Sequence, residues 1–496
     1  MFTGTEWSVE LIDQMWKEIE KTCKAVFNIS YNKPRLEIIT AEQMLYNYSV
    51  AGLPSMYSHW EFGQEYQKLY QDYKIGHKGL AYEMVINTNP LITYLMESNT
   101  AVMQTLTMAH AVCGHGSFFK ENYLFKEWTD GDGILDYLAF AQYFIRSCEE
   151  KYGDLAVSEL IEKVHYLEPL GIDYYKRNRS ATKKRVQKKI KKHIELLDDS
   201  FDELYTTAPR YNAKRHFHNI ELEKLTEKLD TNIKEFVFPE ENVLYLLEKI
   251  SKLKPWQKEI VRIVRKINQY FYPQRQTKVM NEGWASFIHY ELMTELYNRG
   301  KLTEGAFLEF LENHTNVVSN QPQQPNPYAL GIAIFQDIKR MCLDPTDEDR
   351  DFFPQLGGKD WKEETKYAMV NFRDESFIRQ YLSPKVMRDL GLYIVHDDED
   401  EEDYYEVTAT HDTKYYKDLR EKVADKYLVG QEIPQIVWNS VSADNTLNGS
   451  LKTTNDKNID GHAVMLVYRY IKELWGANVF INTLEVDLES EDDEKW

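Results

Sequence analysis

The chain has 496 residues, of which 43% are hydrophobic, and it contains 34 Tyr and 22 Phe. This composition excludes an intrinsically disordered chain, and the length favours two or three folded units over one. The formal net charge of −20 disfavours unguided binding to nucleic acid or to an anionic membrane, so we expect no specific nucleic-acid interaction.

The N-terminus and the cysteine pattern indicate a reducing compartment. The first residues lack the basic region and apolar stretch of a secretory signal, and no run of 18 apolar residues predicts a membrane span. The four cysteines are scattered without a CxxC pair, which is typical of free thiols rather than disulfides or a Cys-based zinc site. We therefore expect a cytoplasmic protein without a membrane span.

Residues 1–350 form the first predicted region, a large helical domain. Apolar residues recur there at positions i, i+3 and i+4, and strand-like alternation is scarce. The segments with helical periodicity are 8–27, 61–74, 101–113, 134–151, 155–168, 186–205, 215–230, 241–271, 281–298 and 303–313.

A basic segment interrupts this helical region between Lys176 and Lys192. It holds ten Lys or Arg residues and no acidic residue. Such a run is either a solvated face that balances the acidic chain or a docking surface for an anionic partner. No aromatic residue lies among the charges, so stacking of nucleic-acid bases is not expected.

The composition changes near residue 350. We expect residues 351–403 to form linker helices and an acidic loop, whose like charges at 397–403 repel one another. Residues 404–488 follow the order strand, helix, strand, strand, helix, strand, and residues 489–496 form an acidic tail. The predicted fold class is mainly α, with a large helical N-terminal domain followed by a small ferredoxin-like (βαββαβ) α+β domain.

The strongest candidate for chemistry is the histidine pair His110 and His115. On a regular α-helix, side chains five positions apart point about 140° away from each other, so they could not bind one ion. They could do so if the helix ends at Gly114, or if a π-bulge brings positions i and i+5 together. Because the pair brackets a helix-breaking glycine, we favour a metal-binding or catalytic role over two structural core histidines.

Glu282 and His289 lie seven positions apart in a second helical segment. Both point to one face of that helix, about 10 Å apart along its axis, so they cannot both bind a single ion. We take Glu282 as the third ligand and His289 as a candidate catalytic residue. Alternatively, Glu282 near a helix start could simply favour the helix dipole.

Further acidic residues offer alternative or supporting roles. Glu162 and His165 have the Glu-x-x-His spacing that projects both groups into a helical-bundle core, and Glu149 and Glu150 lie on the preceding helix. On spacing alone, each of these positions is more typical of surface charge. Nucleotide-binding loops, the GxSxG elbow and HExxH are absent from the sequence.

Several long segments resemble the stage V sporulation protein R family. They include AHAVCGHGSFFKENYLF, YEMVINTNPLITYLMESNT, FYPQRQTKVMNEGWASFIHYELM and NPYALGIAIFQDI, in the family's order between about residues 53 and 338. His110, His115, Glu282 and His289 lie inside these segments. The resemblance implies a bacterial cytoplasmic protein that is associated, in spore formers, with assembly of the peptidoglycan spore cortex. Similar proteins also occur in bacteria that do not sporulate, often encoded near a serine protein kinase.

The first hypothesis from these observations is a metal-dependent hydrolase that acts on an amide or peptide bond. His110, His115 and Glu282 would hold a divalent metal, with zinc preferred and iron possible, and leave a position for water. The residue after the first histidine is Ala111, where HExxH has its general base. The general base must then come from elsewhere in the chain, and Glu149 and Glu150 are the candidates.

Two alternatives belong to other classes of protein. In one, Glu162 and His165 join the same residues in a dinuclear carboxylate site with redox chemistry. In the other, the protein is a non-enzymatic scaffold or regulator of cortex assembly. The substrate, whether peptidoglycan-related or a protein, and the oligomeric state do not follow from the sequence.

Overall fold

A computed structural model of the chain describes residues 7–176, 236, 238–319, 326–397, 405–408, 412–428, 435–452 and 461–482. The basic segment lies outside these residues except for Lys176, and so do residues 398–403 of the acidic run and the acidic tail. The described part is mainly helical, as the sequence predicts. None of its helices combines the length and the apolar composition that crossing a membrane would require.

The helices alternate with short connections along most of the chain. A π-helix, here named π1, continues directly from the fourth α-helix into the fifth. In chain order the helices are α1 (Val9–Val26), α2 (Ala41–Ser49), α3 (Trp60–Lys74), α4 (Ala101–Met108), π1 (Ala109–Gly116), α5 (Ser117–Glu121), α6 (Tyr123–Trp128), α7 (Ile134–Tyr152), α8 (Asp154–Tyr166), α9 (Val243–Ile250), α10 (Pro255–Gln276), α11 (Lys278–Asn298), α12 (Glu304–Val317), α13 (Pro327–Leu343), α14 (Asp347–Phe352), α15 (Trp361–Asn371), α16 (Asp374–Tyr381), α17 (Pro384–Asp389), α18 (Thr413–Asp425) and α19 (Gly461–Trp475).

The strands of the described residues form small sheets. In the first sheet, the central strand β3 is parallel to β1 and antiparallel to β2. In the last sheet, β7 is antiparallel to β6 and parallel to β8, whereas β4 and β5 form an antiparallel pair. The strands are β1 (Pro34–Ile39), β2 (Glu83–Ile86), β3 (Leu91–Met96), β4 (Ile394–Asp397), β5 (Tyr405–Thr408), β6 (Gln435–Val441), β7 (Leu447–Lys452) and β8 (Val479–Asn482).

The C-terminal elements follow the predicted order, but the ferredoxin-like arrangement is not confirmed. Strand β5 pairs with β4 rather than joining the sheet of β6, β7 and β8. Helix α18 buries Tyr416 and Leu419 in the same core as the N-terminal helices. Asp425 on α18 also forms an ion pair of 2.6 Å with Arg379 on α16. The physical reason is that the apolar face of α18 meets a larger apolar surface in this core.

The described contacts divide the chain into two units, each built from two segments. Unit 1 comprises residues 1–143 and 270–428, and unit 2 comprises residues 144–269 and 429–496. The division falls inside α7 and α10, whereas the sequence predicts boundaries at 350 and 403. Periodicity identifies helices but does not say which of them share a core.

Unit 2 combines α8, α9 and α19 with the sheet of β6, β7 and β8. Lys163 on α8 forms an ion pair of 2.6 Å with Glu473 on α19. The backbone of Glu240, just before α9, pairs with Trp438 of β6. These contacts hold elements from both segments of the chain together within this unit.

Most residues of helix α11 are buried in unit 1. Its apolar residues point to all sides instead of along one stripe, a pattern typical of a helix that is buried all round. Trp284, Phe287 and Met280 are fully buried, and the ring of Trp284 packs at 5.4 Å from that of Phe335 on α13. Helix α11 therefore forms the centre of the core of unit 1.

Small residues bring α11 into backbone contact with two neighbours. A Cβ atom added at Gly114 of π1 would lie 2.5 Å from the Cα of Ala285 on α11. On the other side, a Cβ atom added at Gly331 of α13 would lie 2.6 Å from the Cα of Gly283 and would overlap the carbonyl oxygen of Val279. These close approaches fix the position of α11 between π1 and α13.

The start of α11 is fixed by a buried carboxylate. The backbone N–H groups of Val279 and Met280 donate hydrogen bonds of 2.9 and 2.8 Å to Asp374, the first residue of α16. Burial raises the pKa of Asp374 to about 7, although these N–H groups oppose the shift. The first turn of α11 is thereby held in place, and Glu282 follows directly after it.

The close contact between α11 and α13 predicts that Gly331→Ala destabilises unit 1. The added methyl group meets backbone atoms that cannot rotate away, so we expect a loss of about 3 kcal/mol in the free energy of unfolding. Urea unfolding followed by tryptophan fluorescence measures the change. The matched control is Gly63→Ala on α3, where no atom lies within 4 Å of the added methyl group and a gain of about 0.5–1 kcal/mol is expected. Equal stability of both variants would contradict the close packing.

Candidate metal centre

The two histidines of the predicted pair lie in π1. A π-helix closes hydrogen bonds between residues five apart, so positions i and i+5 come onto one face. The rings of His110 and His115 lie 4.6 Å apart between centroids, and both side chains are buried. Of the two ways in which the sequence could bring them together, the structure shows the π-helix. Gly114 does not end the helix, which continues into α5.

Side chains next to π1 support its wider turn. The hydroxyl group of Ser117 lies 2.6 Å from the carbonyl oxygen of Cys113 and 2.9 Å from that of Gly114. The indole N–H of Trp284 on α11 donates a hydrogen bond of 2.9 Å to the same hydroxyl oxygen. Ser117 therefore satisfies a carbonyl group of π1 and joins π1 to α11.

Glu282 of α11 faces both histidines. Its Oε2 atom lies 3.6 Å from Nε2 of His110 and 3.5 Å from Nε2 of His115. This oxygen is buried and has no hydrogen-bond partner within the described residues, while the carboxylate also interacts with the hydroxyl group of Tyr328 on α13. A buried carboxylate oxygen without a donor is costly, and here it points at two nitrogen atoms that can bind a cation.

A second carboxylate borders the pair on the side of the first sheet. Oε1 of Glu83 on β2 lies 3.7 Å from Nε2 of His110. The side chains of Glu83 and Glu282 are 17% and 19% exposed to solvent, more than the side chain of either histidine. The carboxylates therefore form the accessible face of the cluster, and the imidazoles form its buried face.

Each histidine has a partner at its other ring nitrogen. Nδ1 of His115 lies 3.0 Å from Oδ1 of Asn281. Because an amide oxygen only accepts, His115 carries a proton on Nδ1 and keeps a lone pair on Nε2. Nδ1 of His110 lies 2.8 Å from Nδ1 of His289, and Nε2 of His289 lies 2.8 Å from Nδ1 of His314 on α12.

The cluster is short of positive charge. Burial lowers the pKa of His115 to about 4, so this imidazole is neutral at pH 7. Burial opposes a charge on His110 too, but the contact with Glu282 and the charge of Glu83 raise its pKa. Burial raises the pKa of Glu83 to about 7, whereas the neighbouring histidines keep that of Glu282 below its usual value despite burial. The site thus favours a cation between the carboxylates.

The geometry fits a metal ion. One ligand atom from each of His110, His115 and Glu282 lies within 4.8 Å of the other two. Two neutral imidazoles and a carboxylate are a common ligand set of catalytic zinc sites, in which a fourth position remains open. Second partners that orient the imidazoles, such as Asn281 here, are typical of such sites.

The other residues predicted from the sequence lie elsewhere or have a different contact. His289, the candidate catalytic residue, contacts His110. Glu149 and Glu150 are in the part of α7 that belongs to unit 2, and Glu162 and His165 are on α8 of the same unit. Their proposed roles at the metal centre stay predictions.

Sequence reasoning missed four residues that surround the centre. Three of them lie in the segments that carry the family resemblance and could have been selected there. Glu83 escaped notice because it lies on a short strand, and His314 because it lies in none of those segments. The four are Glu83, Asn281, His314 and Tyr328.

Comparisons with known proteins place the chain among relatives over most of its length. The family model described as SpoVR like protein matches residues 6–432. The chain is 43% identical over 493 residues to the protein named uncharacterized protein YcgB from Escherichia coli (strain K12), which covers 98% of this chain and 94% of that relative. No solved structure is significantly similar to the chain.

The contact between His115 and Asn281 predicts an effect on metal affinity. Asn281→Ala removes the acceptor that fixes the tautomer of His115, so we expect zinc affinity to fall by roughly ten- to hundredfold. Competition with a chromogenic chelator measures the affinity. The control is Asn371→Ala at the exposed end of α15, which should bind zinc as the wild type does. Unchanged affinity in Asn281→Ala would mean that Asn281 does not orient a ligand.

Proposed function

Because this chain belongs to the SpoVR-like protein family, we propose that it is a metal-dependent hydrolase that cleaves an amide or peptide bond. The observation that carries the proposal is the buried Oε2 atom of Glu282, which has no hydrogen-bond partner in the described residues and faces Nε2 of His110 and of His115. These residues would be the ligands of one divalent cation. Zinc suits two imidazoles and one carboxylate best, and iron is the second choice.

A cation at this position would lower the pKa of a bound water molecule and polarise a substrate carbonyl group. The chain's own residues would then orient the substrate and move protons. In amide hydrolysis, water adds its oxygen to the carbonyl carbon, the C–N bond breaks, and the leaving nitrogen receives a proton. The protein therefore needs a group that can accept a proton from water and donate one to the amine.

Glu83 is the best candidate for this proton transfer. It borders the cluster at 3.7 Å from His110, and burial raises its pKa to about 7. A group with a pKa near the working pH can both accept and donate a proton. Glu83 would thus replace the glutamate that follows the first histidine in HExxH, where this chain has Ala111. Glu149 and Glu150, the candidates from the sequence, lie in unit 2, and their role stays a prediction.

The cellular role follows from the family resemblance and is part of the proposal. In spore formers the hydrolase would act in formation of the peptidoglycan cortex, on a peptidoglycan-related or protein target in the cytoplasm. Because similar proteins also occur in bacteria that do not sporulate, the reaction would serve more than one pathway. An anionic partner bound at Lys176–Lys192 would belong to its regulation or localisation.

One observation favours a second candidate, a dinuclear redox site. Glu83 supplies a second carboxylate beside the two histidines, as a carboxylate-bridged metal pair would need. Metal identity separates the candidates, since a di-iron protein purified in air absorbs in the near ultraviolet and a zinc protein is colourless. If the purified protein contains no metal, the scaffold role is the remaining candidate.

The ligand assignment predicts the metal content of the protein. Protein purified without a His-tag and without chelator should contain close to one zinc ion per chain, measured by elemental analysis. Glu282→Gln replaces the charged ligand by a neutral amide, so most of the metal should be lost. Glu295→Gln, on the same helix but paired with Arg299 at the surface, should retain it. Equal metal content in both variants would contradict the assignment.

If Glu83 transfers protons and does not bind the metal, its substitution should lower the rate of hydrolysis without lowering the zinc content. Glu83→Gln should retain zinc but lose roughly 10²–10⁴-fold in hydrolysis. The assay uses zinc-loaded protein in ¹⁸O-labelled water with a mixture of muropeptides and tryptic peptides, and mass spectrometry detects ¹⁸O in the new carboxyl groups. The exposed Glu97→Gln serves as the control. Wild-type turnover in Glu83→Gln would exclude Glu83, and no label from the wild type with either substrate class would contradict the hydrolase proposal.

A further inference from the structure

Three buried imidazoles form a chain that leads away from the metal centre. His110 on π1 contacts His289 on α11, and His289 contacts His314 on α12, each through two nitrogen atoms 2.8 Å apart. All three side chains are at most 7% exposed. We call His110, His289 and His314 the imidazole relay.

Hydrogen bonding makes this relay directional. A neutral imidazole has one N–H donor and one nitrogen acceptor. His289 uses both of its nitrogen atoms in the relay, so it must donate to one neighbour and accept from the other. While all three rings are neutral, only two arrangements are available, in which the N–H groups all point away from the metal centre or all point towards it.

The two arrangements have opposite consequences for His110. If the N–H groups point away, Nδ1 of His110 donates to His289 and Nε2 is free to bind a cation beside Glu282. If they point towards the centre, Nδ1 of His110 accepts, and its proton lies on Nε2 between the carboxylates of Glu282 and Glu83. A proton in that place excludes a metal ion from the same nitrogen atom.

We infer that His289 and His314 are positioning residues that hold His110 as a metal ligand, because the relay points away from the centre and keeps the proton of His110 on Nδ1. This inference rests on the proposed metal site, and it adds two residues that touch neither the ion nor the substrate. His314 is the terminal acceptor. Without it, a proton on Nε2 of His289 would have no acceptor. The tautomer of His289 with its proton on Nδ1, which faces His110, would then be favoured.

The surroundings of His314 fit the role of a neutral acceptor. Burial lowers the pKa of His314 to about 4, and its ring lies among aromatic rings, at 5.7 Å from Phe310 and 5.1 Å from Tyr290 between centroids. These contacts also give His314 a packing role. The test must therefore separate the shape of the ring from its acceptor atom.

Two substitutions of His314 make that separation. His314→Asn is smaller than histidine but places an amide oxygen near the position of Nδ1, so it can accept from His289. His314→Phe keeps the ring but has no acceptor. We expect His314→Asn to bind zinc nearly as tightly as the wild type, and His314→Phe to bind it roughly ten- to hundredfold more weakly. If packing alone mattered, the order of the two affinities would be reversed, and that result would overturn the inference.

The protonation of His289 gives a readout that needs no metal. Nitrogen-15 spectra of protein labelled at its 13 histidines distinguish protonated from unprotonated ring nitrogens, and single-site variants assign the signals. In the metal-free wild type we expect His289 to carry its proton on Nε2 and to lack one on Nδ1. The opposite pattern would overturn the inference even if zinc binds. If the wild type binds no zinc, the proposed function fails, and the spectrum of metal-free protein still decides the relay.

Discussion

Helix α11 touches two other elements through its backbone, and the candidate metal centre depends on this contact. Gly114 lets π1 approach Ala285, and Gly331 lets α13 approach Gly283 on the opposite side. A larger residue at Gly114 would push π1, and with it His110 and His115, away from Glu282 on α11. Because Glu282 is the neighbour of Gly283, the same contact that closes the core places the carboxylate in front of His110 and His115. The residue that packs against α13 and the carboxylate of the candidate site therefore lie in the same turn of α11.

The electrostatics of the centre follow from that burial. Two carboxylates beside buried imidazoles in a place with little water favour a cation, since a buried negative charge without a partner is unstable. In the protein alone, this demand raises the pKa of His110, and a metal ion would meet it more completely. The partners at the outer nitrogens, Asn281 and His289, would then decide which nitrogen atom of each ring faces such an ion. The orientation of the two imidazoles therefore depends on Asn281 and His289 as well as on the candidate ligands themselves.

The sequence predicts the helical character of the chain and the residues His110, His115 and Glu282 that the structure brings together. It offers the π-helix as one of two possibilities, but it cannot select between them, because the stabilising contacts of Ser117 and Ala285 come from packing. Glu83 is not predictable from periodicity, since a four-residue strand carries little signal. The ferredoxin-like arrangement is not confirmed for a similar reason: pairing between strands depends on which core buries the intervening helix, here α18. Contacts between distant segments, such as the one between His289 and His314, follow only from the fold.

X-ray absorption at the edge of the bound metal tests the centre most directly, on the full chain purified without an affinity tag or chelator. The account predicts one ion with nitrogen and oxygen neighbours only, at about 2.0–2.2 Å for zinc, with the outer-shell scattering of two imidazole rings. Mutation of Glu282 to Gln should remove that signal. A sulfur shell at about 2.3 Å, a single imidazole, or protein that takes up no metal when zinc is supplied would contradict a centre built from His110, His115 and Glu282.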